Sequence, residues 1–119
     1  MSILVTNNPL VKSEYSGAYQ VEYIDTDIHG VLIAVRDFIH KGHYLLTHPL
    51  SGSVKPNETL YKSVLLSEKT DNTDFKSVGI IEGCIITAKK FPPKRIPRKY
   101  KKDMQLVDLS LIRSALENN

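Results

Sequence analysis

Six apolar residues between positions 28 and 39 recur at the spacing of one face of an α-helix. They fall at i, i+3, i+4, i+7, i+10 and i+11, and they are Ile28, Val31, Leu32, Val35, Phe38 and Ile39. The oxygens of Asp25-Thr26-Asp27 can cap the start of this helix, and Gly42 is a typical residue at a helix end. This amphipathic helix is the most strongly determined element of the chain, and the other elements are placed around it.

Short β-prone runs alternate with helical patterns along the rest of the chain. Strands are predicted at 2–6, 19–24, 43–47 and 61–66, and helices after Pro9, over 75–88 and over 106–116. Such alternation is typical of an α/β domain, and right-handed crossovers between parallel strands put helices on both faces of the sheet. We therefore predict a small Rossmann-like domain with a mostly parallel four-stranded sheet, in the order 2-1-3-4, flanked by helices.

The length of 119 residues and an average composition, 41% hydrophobic and 24% charged, predict a single domain over residues 1–119. The one cysteine, Cys84, cannot form an intrachain disulfide and is expected to be a buried, inert thiol. The first residues lack the basic region of a signal peptide, and no run approaches the roughly 18 apolar residues that span a bilayer. We therefore expect a cytoplasmic protein that does not associate with a membrane.

Positive charge is concentrated in residues 89–102, which hold 8 of the 16 Lys and Arg residues and no acidic residue. Three prolines predict that this segment is an irregular connector before a C-terminal helix. Counterion release would let eight cations bind nucleic acid, but only two aromatic residues accompany them, so we do not expect a nucleic acid partner. An acidic protein partner and a solvated connector are the two alternatives.

A polar stretch from 48 to 60 separates the last two predicted strands, and loops of this size in compact domains are usually functional or disordered. In the predicted topology the first and third strands are neighbours whose outgoing connections leave toward opposite faces. Their ends are Thr6-Asn7-Asn8-Pro9 and Thr47-His48-Pro49. Because open α/β sheets bind ligands at such a switch point, we expect a site between this loop and the Asn7-Asn8 turn.

The residue types at this expected site suit an anionic small molecule, either a phosphate or a carboxylate. The hydroxyls and flexible backbone of Ser51-Gly52-Ser53 can converge on an anion, and Lys55 can neutralise it. The predicted ligand-binding residues are Asn7, Asn8, His48, Ser51, Ser53, Lys55 and Asn57. The alternative is a solvated loop whose polar side chains satisfy its own turns. Neither standard nucleotide-binding glycine motif occurs in the chain.

His48 and Glu58 are the candidate catalytic residues. An imidazole titrates near neutral pH and a carboxylate can orient it, so the pair could transfer protons. The alternative is a structural histidine that is hydrogen-bonded to its own loop, and no nucleophile elbow accompanies the pair. The spacing of His40, His43 and His48 does not suit a metal, so no metal or cofactor is expected. Whether the chain is an enzyme stays open, and binding without catalysis is the favoured interpretation.

The stretch HKGHYLLTHPLSGSVKPNETLYKSVLLS, with TNNPLV near the start and DLSLIRSAL near the end, resembles the GrdX proteins. Members of that family are encoded beside the glycine reductase system of anaerobic bacteria that ferment amino acids. The resemblance implies a small cytoplasmic accessory protein, and it carries over no catalytic or binding residue. It also implies that amino acids, acyl phosphates and subunits of the glycine reductase complex are candidate ligands or partners.

Three functional hypotheses follow from the sequence. The favoured one is an accessory protein that binds an anionic small molecule or a partner protein through the 48–60 loop. The second is a small enzyme that acts on a phosphorylated or carboxylated metabolite with His48 and Glu58 as its acid–base pair. The third is an adaptor whose binding surface is the basic segment 89–102.

Overall fold

The computed structural model of the chain describes residues 1–50, 55–92 and 94–118, so the predicted ligand-binding residues Ser51 and Ser53 lie outside the described residues. The elements in chain order are β1 (Ile3–Thr6), α1 (Pro9–Tyr15), β2 (Gln20–Tyr23), α2 (Ile28–His40), β3 (Ser63–Leu66), α3 (Phe75–Lys89), a short 3-10 helix (Arg98–Tyr100) and α4 (Lys101–Glu117). No described helix is long and apolar enough to cross a bilayer.

β1 is the central strand of a mixed sheet with the order β2-β1-β3. β1 and β2 run parallel, and Leu4 lies opposite Val21. β1 and β3 run antiparallel, and Thr6 lies opposite Ser63. Every residue of β1 and β3 is buried, which is expected of strands that are covered on both faces.

The predicted Rossmann-like sheet, mostly parallel and four-stranded in the order 2-1-3-4, is wrong. Residues 61–66 were expected at the sheet edge, but β3 lies directly beside β1 and antiparallel to it. Residues 43–47 lie beyond β3 and form no regular strand, with one isolated antiparallel bridge between Leu45 and Leu66. The 48–60 connection lets the chain reverse its direction, and antiparallel neighbours need no helical crossover between them.

Side-chain hydroxyls take the place of backbone partners for two of the amides in residues 43–47. The N–H of Tyr44 donates to Oγ of Ser67 at 2.8 Å. The N–H of Leu45 donates to Oγ of Ser77, on α3, at 2.9 Å. The N–H groups of Leu46 and Thr47 both donate to the carbonyl oxygen of Leu65, at 2.9 and 3.3 Å. Because two amides bond to side chains and two share one carbonyl, no regular ladder forms, and the alternation of the sequence alone could not reveal this.

Two apolar layers cover the two faces of the sheet. The layer between the sheet and helices α2 and α3 includes Ile3, Val5, Val64, Leu66, Val31, Leu32, Val35 and Ile81. The layer between the sheet and helices α1 and α4 includes Leu4, Val11, Leu65, Leu109 and Ile112. Since successive side chains of a strand point to opposite faces, the odd-numbered residues of β1 and the even-numbered residues of β3 share the first layer.

The first three helices each begin at a side-chain cap. The side-chain amide oxygen of Asn8 caps α1, the carboxylate of Asp27 caps α2, and the carboxylate of Asp74 caps α3. These bonds satisfy N–H groups that have no partner within a helix. By contrast α4, which starts earlier than the sequence pattern predicted, has no side-chain hydrogen bond from its N-cap residue Tyr100.

Candidate functional site

A cleft of about 160 Å³ opens where the end of the 48–60 loop meets the first turn of α2 and the start of the basic segment. We call it the loop cleft. Its walls include Asp27, His29, Asn57, Thr59, Phe91 and Lys94. Drug-sized ligands occupy pockets of roughly 300–1,000 Å³, so this cleft suits a much smaller molecule.

Asn57 is the residue of the loop cleft whose hydrogen bonds are incomplete. Its Nδ2 donates to the carbonyl oxygen of Pro92 at 2.9 Å, which fixes the orientation of the amide. Its Oδ1 is buried and accepts no hydrogen bond from any residue that the structure describes. Leaving a buried acceptor unpaired costs about 1–3 kcal/mol, so a ligand that brings a donor to this oxygen would be favoured.

Two opposite charges border the loop cleft. The carboxylate of Asp27 accepts a hydrogen bond from the N–H of Gly30 at 2.8 Å, at the start of α2. Nζ of Lys94 lies 3.2 Å from Oε1 of Glu58, and these side chains are 56% and 42% exposed. Because an exposed ion pair contributes only about 0–1 kcal/mol, a ligand can draw Lys94 away from Glu58 at little cost.

A second group of polar side chains is buried between the sheet and α4. We call it the polar cluster, and its members, none more than 8% exposed, are Thr6, Asn8, Lys62, Ser63 and Asp108. Oγ of Ser63 donates to Oδ2 of Asp108 at 2.7 Å, and Nδ2 of Asn8 donates to the same oxygen at 3.0 Å. The polar cluster therefore ties α4 to β3 and to the cap of α1.

Burial shifts the protonation equilibria of both ionisable members of the polar cluster. It raises the pKa of the Asp108 carboxyl, against the opposing effect of the hydrogen bonds from Asn8 and Ser63 and of the Lys62 charge. Burial also lowers the pKa of the Lys62 ammonium, and the negative charge of Asp108 opposes this shift. Both shifts have the direction expected when a charged group loses water.

The space beside the polar cluster is too small for a substrate. It measures about 30 Å³, and its walls include Thr47, His48 and Leu111. A space of this size has room for about one water molecule. The polar cluster therefore stabilises the fold in this structure. A carboxylate and a lysine with shifted pKa values in one place are also common at functional sites.

The hydrogen-bonding groups of Asn7 and Asn8 are used within the protein. Nδ2 of Asn7 donates to the carbonyl oxygens of Thr26 and Leu60 at 2.8 Å each, and its Oδ1 accepts from the N–H of Lys62 at 2.9 Å. Asn8 caps α1 and also joins the polar cluster. A ligand at either residue would have to replace these bonds.

The structure places the other predicted site residues apart from one another. Nδ1 of His48 accepts from the N–H of Leu50 at 3.1 Å, and this histidine lies beside the polar cluster. Glu58 instead pairs with Lys94 at the loop cleft. Lys55 is exposed and is not part of the wall of the loop cleft. Of the predicted ligand-binding residues that the structure describes, Asn57 is the one in that wall.

In the part of the chain that the structure describes, no side chains are arranged to hold a metal ion or to activate a thiol. No group of three His, Cys, Asp or Glu side chains in this part lies close enough together to hold a metal ion. Nδ1 of His43 is hydrogen-bonded to the carbonyl oxygen of Ser67 at 2.8 Å. Cys84 is buried in the apolar layer under α3, and burial raises the pKa of its thiol, which disfavours the reactive thiolate.

A family model covers nearly the whole chain. The model is described as GrdX-like protein, and it matches residues 3–117 of the 119 residues. The chain belongs to the GrdX-like family. The resemblance seen in the sequence is thereby confirmed, and the match spans the loop cleft as well as the polar cluster. Searches of curated proteins and of solved structures give no match.

Asp108, Lys62 and Lys94, which belong to the polar cluster or the loop cleft of this GrdX-like chain, are not among the site residues predicted from the sequence. Asp108 had a detectable signal, because it stands beside Leu109 and four residues before Ile112, on the face of α4 that is otherwise apolar. Lys62 is next to a strand, and burial of a lysine there has no local signature. Lys94 is one of many cations in the basic segment, and only the fold sets it apart by bringing it to the 48–60 loop.

Proposed function

We propose that this GrdX-like protein is an accessory protein of the glycine reductase system that binds a small metabolite in the loop cleft. The metabolite would carry a carboxylate and an N–H donor. The family's association with glycine reductase supports the cellular context. Asn57 lines the loop cleft, and its buried Oδ1 has no donor among the residues that the structure describes, which is the observation that supports the binding role.

The charges around the loop cleft favour a zwitterion over a simple anion. Oδ1 of Asn57 requires a donor, which a carboxylate anion lacks and an ammonium group supplies. The carboxylate of Asp27 attracts an ammonium and repels a lone anion, whereas Lys94, in the same cleft wall, attracts a carboxylate. A small amino acid such as glycine carries a partner for each of these three groups. This proposal narrows the class of anionic small molecules that the sequence predicted to small amino acids.

The ligand class can be tested by thermal unfolding with glycine, acetate, methylamine, phosphate and acetyl phosphate. A ligand at 100 times its Kd stabilises the folded state by about 2.7 kcal/mol. At about 4 °C per kcal/mol for a chain of this length, glycine should raise Tm by roughly 10 °C at saturation. Acetate and methylamine each satisfy one side of the cleft, so their effect should be much smaller at the same concentration.

Variants then assign the binding to the loop cleft. Asn57→Leu removes the unpaired acceptor and Lys94→Ala removes the cation, so either should abolish most of the shift caused by glycine. Lys55→Ala is the matched control, because Lys55 belongs to the same 48–60 loop as Asn57 but is not part of the wall of the loop cleft. Loss of the shift in Lys55→Ala but not in Lys94→Ala would place the site where the sequence alone suggested. A wild-type protein that no ligand stabilises would contradict the proposal.

A further inference from the structure

Apolar side chains make up about half of the wall of the loop cleft. Of the eleven residues that line it, six are apolar, and they are Ile28, Pro56, Leu60, Ala88, Phe91 and Ile96. The polar residues of the wall supply partners for the ammonium and the carboxylate of an amino acid. Glycine has no side chain that could contact the apolar residues, so a glycine ligand would leave this half of the wall unused.

Three of these apolar residues belong to the loop cleft rather than to the core. Leu60, Phe91 and Ile96 are half-buried, and among the described residues neither of the two apolar layers on the sheet includes them. Ala88, by contrast, also packs against the layer between the sheet and helices α2 and α3. Leu60, Phe91 and Ile96 are therefore three large apolar side chains that the fold places at the cleft.

The apolar residues are close in the chain to the groups that would hold the two ends of the ligand. Nδ2 of Asn57 donates to the carbonyl oxygen of Pro92 at 2.9 Å, and Pro92 directly follows Phe91. Lys94 and Ile96 are two residues apart, and both line the cleft. An amino acid that is bound by Asn57 and Lys94 therefore lies beside Phe91 and Ile96.

The loop cleft is also larger than glycine. It measures about 160 Å³. Covalently joined atoms occupy less space than the roughly 30 Å³ that one water molecule takes in the liquid, so the five non-hydrogen atoms of glycine leave part of the cleft unfilled. One to three further carbon atoms would use this space and gain contacts with the apolar residues. The seven further carbon atoms of phenylalanine would have to project from the cleft into water.

We propose that the loop cleft prefers an amino acid with an aliphatic side chain of one to three carbon atoms to glycine, and that Leu60, Phe91 and Ile96 determine this preference. The proposal rests on the proposed function, since the same polar groups bind the ammonium and the carboxylate. The aliphatic side chain then replaces water against the three apolar side chains. The protein would therefore bind such an amino acid at concentrations at which glycine occupies little of the cleft.

A series of amino acids measures the preference. Thermal unfolding of the full chain is recorded over a range of concentrations of glycine, L-alanine, L-2-aminobutyrate and L-phenylalanine, and the rise in Tm gives the Kd of each. Burial of one methylene group lowers a Kd about fourfold, so alanine should bind about fourfold and 2-aminobutyrate about 15-fold more tightly than glycine. Phenylalanine should bind more weakly than 2-aminobutyrate, because its ring exceeds the space.

Variants assign the preference to the apolar residues. Ile96→Ala should reduce the advantage of 2-aminobutyrate over glycine from about 15-fold to less than about fivefold, and it should leave the Kd of glycine within about twofold of wild type. Leu60→Ala removes an apolar side chain from the 48–60 loop and should have the same effect. Ile86→Ala is the matched control, because Ile86 is 57% exposed and is not part of the wall of the loop cleft. Circular dichroism verifies that each variant is folded.

The outcomes separate this proposal from the proposed function. Equal affinities for glycine, alanine and 2-aminobutyrate would overturn the preference and leave the binding of a small amino acid intact. A preference for 2-aminobutyrate that persists in both Ile96→Ala and Leu60→Ala would refute the role of these residues. Tighter binding of phenylalanine than of 2-aminobutyrate would refute the size limit. If no amino acid of the series stabilises the wild type, the proposed function is wrong, and this proposal is wrong with it.

Discussion

Replacement of Asp108 by alanine should loosen α4 from the sheet. Oδ2 of Asp108 accepts hydrogen bonds from Ser63 on β3 and from Asn8 at the start of α1. These two bonds connect three elements that are far apart in sequence. The substitution removes both bonds at once, and it leaves the buried ammonium of Lys62 without the nearby carboxylate.

The expected loss follows from these contacts. Each hydrogen bond to a charged group contributes about 1.5–3 kcal/mol. The cost of burying the carboxylate, which raises the pKa of Asp108, offsets part of this gain. The Lys62 ammonium, whose pKa the Asp108 charge raises against the effect of burial, also loses this favourable interaction. We therefore expect Asp108→Ala to lower the free energy of unfolding by about 3 kcal/mol, and Asp108→Asn, which keeps one acceptor oxygen, by less.

Urea unfolding monitored by far-UV circular dichroism is the appropriate measurement, because the chain contains no tryptophan. A loss of 3 kcal/mol corresponds to a fall in Tm of about 12 °C for a chain of this length. Asp37→Ala is the matched control, since Asp37 is an exposed aspartate in a helix and its side chain is 59% exposed. It should change the free energy of unfolding by no more than about 0.5 kcal/mol.

The reasoning would be refuted by an Asp108→Ala variant that loses less than about 1 kcal/mol. Such a result would mean that the desolvation of the carboxylate cancels the bonds it accepts, so that the polar cluster contributes no net stability. A loss equal to that of Asp37→Ala would lead to the same conclusion. A large loss in Asp108→Ala that is restored in Asp108→Asn would instead assign the effect to the hydrogen bonds rather than to the charge.

Two further predictions concern pH and backbone geometry. Burial raises the pKa of the Asp108 carboxyl in the folded chain above its ordinary value of 3.8, so the unfolded chain loses this proton at a lower pH. The contribution of Asp108 to the free energy of unfolding therefore falls as the pH rises from the unfolded-state pKa to the folded-state pKa. The difference in free energy of unfolding between wild type and Asp108→Asn, measured against pH, should show this fall, and a difference that does not vary with pH would contradict it. Gly42→Ala should destabilise by more than about 1 kcal/mol in urea unfolding, since Gly42 has φ +111° and an added Cβ would lie 2.2 Å from the carbonyl oxygen of Thr70. Gly17→Ala, where an added Cβ has no neighbour within 4 Å, should have little effect.

The helices of this chain are determined largely by local sequence. The helical spacing of apolar residues from Ile28 to Ile39 predicted α2, and the structure confirms this helix, with buried side chains at the expected spacing. The stop at Gly42 is likewise explained by its positive φ, which other residues adopt with strain. A helix closes its hydrogen bonds within its own segment, so sequence over a dozen residues contains most of the necessary information.

The sheet could not be predicted in the same way, because a strand finds its partner elsewhere in the chain. Residues 43–47 and 61–66 have similar β-prone patterns, and nothing local indicates which of them lies beside β1. Burial decides between them in the folded chain. Every residue of β3 is buried, whereas Tyr44 is 41% exposed, which fits a central strand and an edge segment respectively.

Polar residues become candidates for a binding site only after their hydrogen bonds within the fold are known. Asn7, Asn8 and Asn57 are equivalent by residue type, and each follows or precedes a predicted strand. The fold uses the side chains of Asn7 and Asn8 to join the ends of β1, β3 and α4. Asn57, by contrast, lies in the wall of the loop cleft, and within the described part of the chain its buried side-chain oxygen has no donor. A ligand gains most where the protein has left such a group unpaired, so the loop cleft at Asn57 is the stronger candidate than the Asn7-Asn8 turn.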